Sequence, residues 1–157
     1  MKSDKAIPAG YHTATPYLVV RGASRAIDFY KKAFGARERF RLSRGNDGIA
    51  HAEFQIGDSY LMLADESPES GLRSPESLGG TPTSVFLYVE DVDDVFRKAV
   101  AAGAKPTLTP QDMFWGDRFG RVQDPSGNRW GIATHREDVS PKEMKKRAAS
   151  AFSGGGS

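Results

Sequence analysis

The sequence predicts an α+β fold of two tandem βαβββ modules, whose strands form a strongly curved mixed sheet around a cavity with the helices outside and a short C-terminal helix. The 157-residue chain is long enough for one domain or for two small fused modules that share a core. The order of strand, helix and further strands occurs twice, which indicates an internal repeat. Superimposing Thr15 on Ser84 also superimposes Met62 on Gly131, since 84 − 15 and 131 − 62 both equal 69.

The first module covers residues 14–65 and begins with a strand and a helix. Its β-branched and aromatic residues predict the strand over residues 15–20. The helix is expected to run from Ser24, as its N-cap, to Gly35, because apolar residues recur at helical spacing between them and glycine commonly ends a helix. A weakly alternating strand over residues 37–42 follows.

The first module ends in a predicted β-hairpin. Gly57-Asp58 separates two alternating runs, residues 50–56 and 59–64, and two residues of this kind are typical of a hairpin turn. In that register, Gln55 faces Tyr60, Glu53 faces Met62 and His51 faces Ala64. One side of the hairpin then carries His51, Glu53, Gln55, Tyr60, Met62 and Ala64, and the other carries Ala52, Phe54, Ile56, Leu61 and Leu63. We expect the apolar side to face the helix and the mixed side to line the cavity.

The second module covers residues 83–136 and follows a linker over residues 66–82 that is rich in serine, proline, glycine and glutamate. A loop of this length is unusual inside one compact domain and natural between two modules. The second module repeats the pattern of the first, with a strand, a helix and three further strands predicted at residues 84–89, 91–104, 105–108, 120–123 and 129–134.

Two terminal segments lie outside the modules. Residues 1–13 read as a polar extension. Residues 137–157 predict a short amphipathic helix and a flexible tail, because Ser140 and Glu143 form a capping box with Pro141 at the first helical position. We expect this helix to dock on its own domain or on a partner subunit.

The composition narrows the range of functions. With 38% hydrophobic and 27% charged residues, the chain has the composition of an ordinary soluble protein. A net charge of +2, with dispersed positive residues, argues against a nucleic-acid groove. The sequence has no apolar run near the roughly 20 residues of a membrane span, no secretory signal and no cysteine. We therefore expect a small-molecule partner, no nucleic acid, no membrane and a cytoplasmic location.

Residues 113–130 combine aromatic residues, arginines and glycines in a pattern that predicts the mouth of a ligand site. Phe114 and Trp115 are expected to stack on the ligand, and Arg118 to bind any anionic group on it. The adjacent Asp117 is expected to form an ion pair with Arg118. Alternation along the strands predicts cavity walls at Tyr17, Tyr60, Met62, Phe86 and Tyr88.

Several blocks of this sequence resemble the vicinal-oxygen-chelate superfamily of glyoxalases, bleomycin-resistance proteins and extradiol dioxygenases. They are SRAIDFYKKAFGA and DVDDVFRKAVAAGA, each after a strand, and DPSGNRWGIATH near the end. The blocks AHAEFQIGDSYLMLADE, MFWGDRFGRVQDPSGNRW and THREDVSPKEM are similar to its PhnB-like branch. The resemblance covers roughly residues 14–145 and implies the duplicated fold derived above.

The resemblance also implies where a metal would bind. Metal-dependent members hold a divalent ion with four side chains, usually His, Gln or Glu, from the first and last strand of each module. The corresponding positions here are Thr15, Met62, Ser84 and Gly131. A thioether, two neutral hydroxyls and a glycine cannot replace imidazole or carboxylate donors. We therefore expect no metal and no other cofactor at the family's usual site.

Two functions remain open. The first is a metal-free protein that binds a small planar or aromatic molecule in the sheet cavity. The second is a metal-dependent lyase, isomerase or dioxygenase of the glyoxalase kind, with one divalent metal ion relocated around His51 and Glu53. These two residues and Asp117 are also the candidates for general acid-base catalysis, and whether the chain is an enzyme stays undecided. The resemblance further implies a homodimer.

Overall fold

The computed structural model describes residues 4–46 and 48–153 and has the predicted fold class. The first module contains, in chain order, β1 (Tyr17–Val20), α1 (Ala23–Phe34), β2 (Arg37–Arg44), β3 (Gly48–Ile56) and β4 (Ser59–Asp65). Its strands form a four-stranded mixed sheet in the order β1-β4-β3-β2, in which β1 is parallel to β4 and the other pairs are antiparallel.

The second module repeats this topology. After the linker it contains β5 (Ser84–Tyr88), α3 (Val92–Ala101), β6 (Lys105–Asp112), β7 (Asp117–Gln123) and β8 (Arg129–His135). The order of its strands is β5-β8-β7-β6, again with only the first pair parallel. Two of its strands are longer than predicted. The end of β6 and the start of β7 both extend to a turn at residues 113–116.

Glycines set both ends of helix α1. The predicted N-cap at Ser24 is wrong: the helix begins at Ala23, after Gly22, whose φ of 73° lies in the left-handed region. Gly35 ends the helix as predicted, with a φ of 64° and an N–H that donates to the Lys31 carbonyl oxygen. A side chain is strained at such φ values, which explains glycine at these two boundaries.

The hairpin has the predicted register. Gln55 pairs with Tyr60, and Glu53 pairs with Met62. Its apolar side is buried throughout: the exposed fraction does not exceed 8% at any of Ala52, Phe54, Ile56, Leu61 and Leu63. These side chains pack beneath α1, which leaves the opposite side of the sheet for the cavity.

The linker contains secondary structure that its composition does not predict. A 3₁₀ turn (Pro68–Ser70) and the short helix α2 (Pro75–Leu78) lie within it. Glu66 anchors the segment, because its carboxylate accepts hydrogen bonds from Arg21, Ser77 and Ser74. The Arg21 guanidinium and then the Ser77 hydroxyl lower the pKa of Glu66 to about 2.

One core joins the two modules. Tyr30 of α1 packs on Trp130 of β8, with ring centroids 5.2 Å apart, and both side chains are fully buried. Asp124, 4% exposed, accepts a hydrogen bond from each of them, with distances of 2.9 Å to Tyr30 Oη and 2.8 Å to Trp130 Nε1. A buried carboxylate thus ties the helix of the first module to the last turn of the second.

The C-terminal helix α4 (Pro141–Ser153) docks on its own chain. Ser140 caps it by accepting the Glu143 N–H at 3.3 Å. Arg147 binds the Glu137 carboxylate through two hydrogen bonds, and Phe114 contacts Phe152 edge to face with ring centroids 5.8 Å apart. Across residues 4–46 and 48–153, the helices lack the combination of length and apolar character that crossing a membrane requires.

Candidate ligand-binding site

The candidate site is the surface of the two sheets that faces away from α1 and α3, here called the inner face. Strand alternation places every second side chain on it. Pairing across the strands sets Tyr17 beside Met62 in the first module and Phe86 beside Gly131 in the second. β1 and β5 line a shared cleft of about 390 Å³, to which Tyr17 and Phe86 both contribute.

Aromatic rings cover the inner face of the second module. The rings of Phe86 and Phe119 are parallel within 4°, with centroids 5.3 Å apart. Tyr88 lies 5.1 Å from Phe86, and Trp115 lies 5.9 Å from Phe119. We call these four residues the aromatic surface. Phe86 and Tyr88 are 46% and 66% exposed, so the surface is open to a ligand.

Gly131 makes the aromatic surface possible. A Cβ atom at this position would lie 2.9 Å from Phe86 Cδ2 and 3.0 Å from Phe119 Cε2, closer than a side chain allows. The missing side chain therefore lets both rings lie flat across β8. At the position in the second module where metal-dependent relatives would place a donor side chain, the space is thus filled by the carbon atoms of two aromatic rings.

A buried carboxylate holds the edge of the aromatic surface. Asp117, 3% exposed, accepts hydrogen bonds from Tyr88 Oη at 3.1 Å and from Trp115 Nε1 at 3.0 Å. His135 Nδ1 lies 2.8 Å from its other oxygen, and His135 Nε2 lies 3.0 Å from Asp138. Asp117 and then Asp138 raise the pKa of His135, while burial and Asp117 raise the pKa of Tyr88.

The predicted ion pair between Asp117 and Arg118 is wrong. Adjacent residues on a strand point to opposite faces, so Arg118 lies on the helix side of β7. It binds Asp93 at the start of α3 through two hydrogen bonds of 2.7 and 2.9 Å. The structure therefore does not bring Arg118 to the inner face. Phe114 contacts Trp115 edge to face at 5.1 Å on one side and Phe152 of α4 at 5.8 Å on the other.

Three polar side chains form a chain across the inner face of the first module. Tyr17 Oη lies 3.1 Å from His51 Nδ1, and His51 Nε2 lies 3.5 Å from Glu53 Oε1. We call Tyr17, His51 and Glu53 the relay. Tyr60 lies further along the same face, where Tyr11 contacts its ring edge to face at 4.9 Å and Arg39 lies 4.0 Å above it. The sequence thus locates Tyr60 on the correct face but misses the Tyr11 cover.

The four positions where the family holds a metal do not fit one. Met62 and Gly131 lie in the last strands, as aligned, but Thr15 and Ser84 lie two residues before the partners that the sheet pairs with them, Tyr17 and Phe86. Neither set supplies imidazole or carboxylate donors. Within residues 4–46 and 48–153, the histidine, aspartate and glutamate side chains form no group of three or more that could hold an ion.

The fold and this face define the class of the protein. The chain belongs to the glyoxalase/bleomycin resistance protein/dioxygenase superfamily, whose family model matches residues 11–132. An uncharacterized protein of Mycobacterium bovis is 41% identical over 139 residues, which cover 87% of this chain and 91% of the relative. The structure of an Arabidopsis thaliana gene product matches with a TM-score of 0.65 and 27% identity, covering 78% of this chain and 98% of that one.

A PhnB protein from Bacillus cereus, described as a putative 3-demethylubiquinone-9 3-methyltransferase, shares the fold with a TM-score of 0.61 and 18% identity. The match covers 78% of this chain and 99% of that chain. This likeness shows that the two chains share the fold.

Sequence reasoning includes Asp117 among the cavity candidates but misses Phe119 and His135 as members of the inner face. Alternation from Trp130, a core residue, would have placed His135 and Gly131 on the inner face, because odd positions of β8 then point away from the helices. The contact between Asp117 and His135 depends on the pairing of β7 with β8, which places these two residues directly opposite each other.

Proposed function

We propose that this protein binds a small planar aromatic molecule on its inner face, without a metal ion. The observation that carries the proposal is the parallel pair of Phe86 and Phe119 over Gly131. Aromatic side chains offer a large apolar contact area at a low entropic cost, and parallel rings match a flat ligand. The rings occupy the place where metal-dependent relatives would need a donor side chain.

Exposure supports a binding role for the aromatic surface. Phe86 and Tyr88 are more exposed than large side chains of the core, although burying apolar surface would stabilise the protein. A contiguous exposed apolar patch in a folded protein commonly marks a ligand or partner site. The cleft of about 390 Å³ beside Phe86 falls within the size range of small-molecule sites.

The experiment follows binding through tryptophan fluorescence. The chain has two tryptophans: Trp115 belongs to the aromatic surface, whereas Trp130 is fully buried on the opposite side of β8. 4-Nitroanisole, a flat uncharged quencher, is expected to reduce Trp115 fluorescence saturably. Phe86→Ala should raise the Kd about tenfold, equivalent to about 1.4 kcal/mol of lost stacking and apolar contact.

A matched control keeps this test specific. Val100→Ala truncates an apolar side chain that is 37% exposed on α3, on the opposite side of the sheet from the inner face, and should leave the Kd unchanged. Equal affinities of wild type and Phe86→Ala, both folded by circular dichroism, would contradict the proposal. So would quenching that never saturates.

The oligomeric state belongs to the same proposal. The inner face also exposes Phe40 and Leu42 of β2, which are 50% and 53% exposed. A second copy of the chain that covered this rim would complete the cavity, and we propose a homodimer. A monomer mass that does not change with concentration in light scattering would contradict it. Cytoplasmic location and the absence of a nucleic-acid partner stay predictions.

A further inference from the structure

The geometry of the relay sets the direction of its one hydrogen bond, between Tyr17 and His51. Because His51 Nε2 faces the Glu53 carboxylate, the proton of a neutral imidazole lies on Nε2. His51 Nδ1 is then an acceptor, and the Tyr17 hydroxyl donates to it at 3.1 Å. A carboxylate that orients an imidazole, which in turn accepts from a hydroxyl, is the arrangement that makes a hydroxyl a proton acceptor and donor in enzymes.

The relay opens towards the aromatic surface. The His51 and Glu53 side chains are 25% and 24% exposed, whereas Tyr17 is 45% exposed. Tyr17 also lines the cleft that Phe86 lines from the other module. We expect a flat ligand that extends from the aromatic surface across this cleft to reach Tyr17, the most exposed member of the relay.

We propose that the ligand carries an acidic hydroxyl, as in a phenol or enol, and that the relay binds this group as its oxyanion. The inference rests on the proposed function. The ligand O–H bond breaks as its proton passes to Tyr17 Oη, and the proton of Tyr17 passes to His51 Nδ1. The products are a ligand oxyanion that accepts a hydrogen bond from Tyr17 and an imidazolium beside Glu53. No oxidant or further reactant is needed.

The charges around the site favour this transfer. The Glu53 carboxylate lies 3.5 Å from His51 Nε2 and is the negative charge that faces the ring. Burial and the neighbouring Glu53 raise the pKa of Tyr11 to about 12, so Tyr11 stays neutral beside the carboxylate. Arg121 lies 5.8 Å from the Phe119 ring and adds a positive charge beside the aromatic surface.

The test compares two probes that differ only in the hydroxyl. 4-Nitrophenol absorbs visible light as its phenolate, and 4-nitroanisole has the same ring with the hydroxyl methylated. At neutral pH, where an imidazole of ordinary pKa is mainly uncharged and free 4-nitrophenol is a mixture of phenol and phenolate, the full chain should add phenolate absorbance on binding, here called the phenolate band. 4-Nitrophenol should also bind about tenfold more tightly than 4-nitroanisole, because a charge-assisted hydrogen bond is roughly twice as strong as a neutral one.

Variants identify the proton acceptor. His51→Gln should remove the phenolate band and bring the two affinities together, and Glu53→Gln should weaken the band because the imidazolium loses its counter-charge. Asp58→Asn, an exposed change in the turn between β3 and β4, is the matched control and should keep both the band and the ratio. Thermal unfolding checks that each variant is folded.

The outcomes separate this inference from the proposed function. If wild type binds 4-nitrophenol and 4-nitroanisole with equal affinity and shows no phenolate band, the proposed role of the relay is wrong. The proposal that the inner face binds a planar ligand would then still hold. A phenolate band that persists in folded His51→Gln would overturn the assignment of His51. If neither probe binds, both the inference and the proposed function are contradicted.

Discussion

Asp124→Asn should destabilise the fold more than any other single polar change in the turn at residues 124–128. The carboxylate is 4% exposed and accepts four hydrogen bonds. One oxygen takes the N–H groups of Ser126 and Asn128, each at 2.9 Å, and the other takes Tyr30 and Trp130. The side chain therefore fixes the turn and joins the two modules at one point.

The magnitude follows from counting acceptors. An asparagine has one acceptor oxygen and one NH₂ group. If its oxygen keeps the two hydrogen bonds from the backbone N–H groups of the turn, its NH₂ group faces Trp130 Nε1–H, which can only donate. Losing a charged acceptor and leaving a buried donor unpaired each cost about 1–3 kcal/mol. Burial raises the pKa of Asp124, so removing the charge offsets part of this loss. We expect a net loss of about 3 kcal/mol, or roughly 6–12 °C in Tm for a chain of this size.

Urea unfolding, followed by circular dichroism, measures the change in the free energy of unfolding. Tyr30→Phe is an intermediate variant: it removes one of the four donors and should cost about 1.5 kcal/mol. Asp58→Asn, on an exposed turn, should stay within about 0.5 kcal/mol of wild type. If Asp124→Asn lost less than Tyr30→Phe, the carboxylate would not be the joint between the modules, and the reasoning would be refuted.

Three further predictions concern the inner face and the tail. Gly131→Ala should push the Phe86 ring and weaken 4-nitroanisole binding roughly fivefold, about 1 kcal/mol, while the protein stays folded; unchanged affinity would contradict the role of the glycine. Asp117 raises the pKa of His135 above its ordinary value of 6.5, so the folded state binds the proton more tightly. The stabilisation is then present below pH 6.5 and is lost as pH rises through the higher folded-state value, which an NMR titration of the ring protons would detect. Arg147→Ala should speed amide hydrogen exchange in α4 and leave the core strands protected, whereas unchanged exchange would show that Arg147 does not hold the helix.

Local signals were sufficient for the fold. Gly57-Asp58 fixed the hairpin because a two-residue turn permits one register, and in that register every apolar side chain falls on the buried face. The start of α1 was misplaced because Ser24 is a good cap by residue type, whereas Gly22 reaches a left-handed conformation that a side chain would resist.

The site was harder to predict because its contacts cross between strands. Tyr17 meets His51 only after β1 pairs with β4 and β4 pairs with β3, and no local pattern sets the parallel register of β1. Arg118 shows the opposite case: strand alternation alone excludes a pair with Asp117, and the proximity of the two residues in sequence was misleading.

The central claim is that the inner face binds a flat ligand through its rings and without a metal ion. The most direct test is a 4-nitroanisole titration of chelator-treated protein, read by Trp115 fluorescence and repeated with Phe86→Ala. The account predicts saturable binding that survives the chelator and weakens about tenfold in the variant. Binding that disappears after chelator treatment and returns with added divalent metal would contradict the claim. An unchanged Kd in Phe86→Ala would contradict it as well.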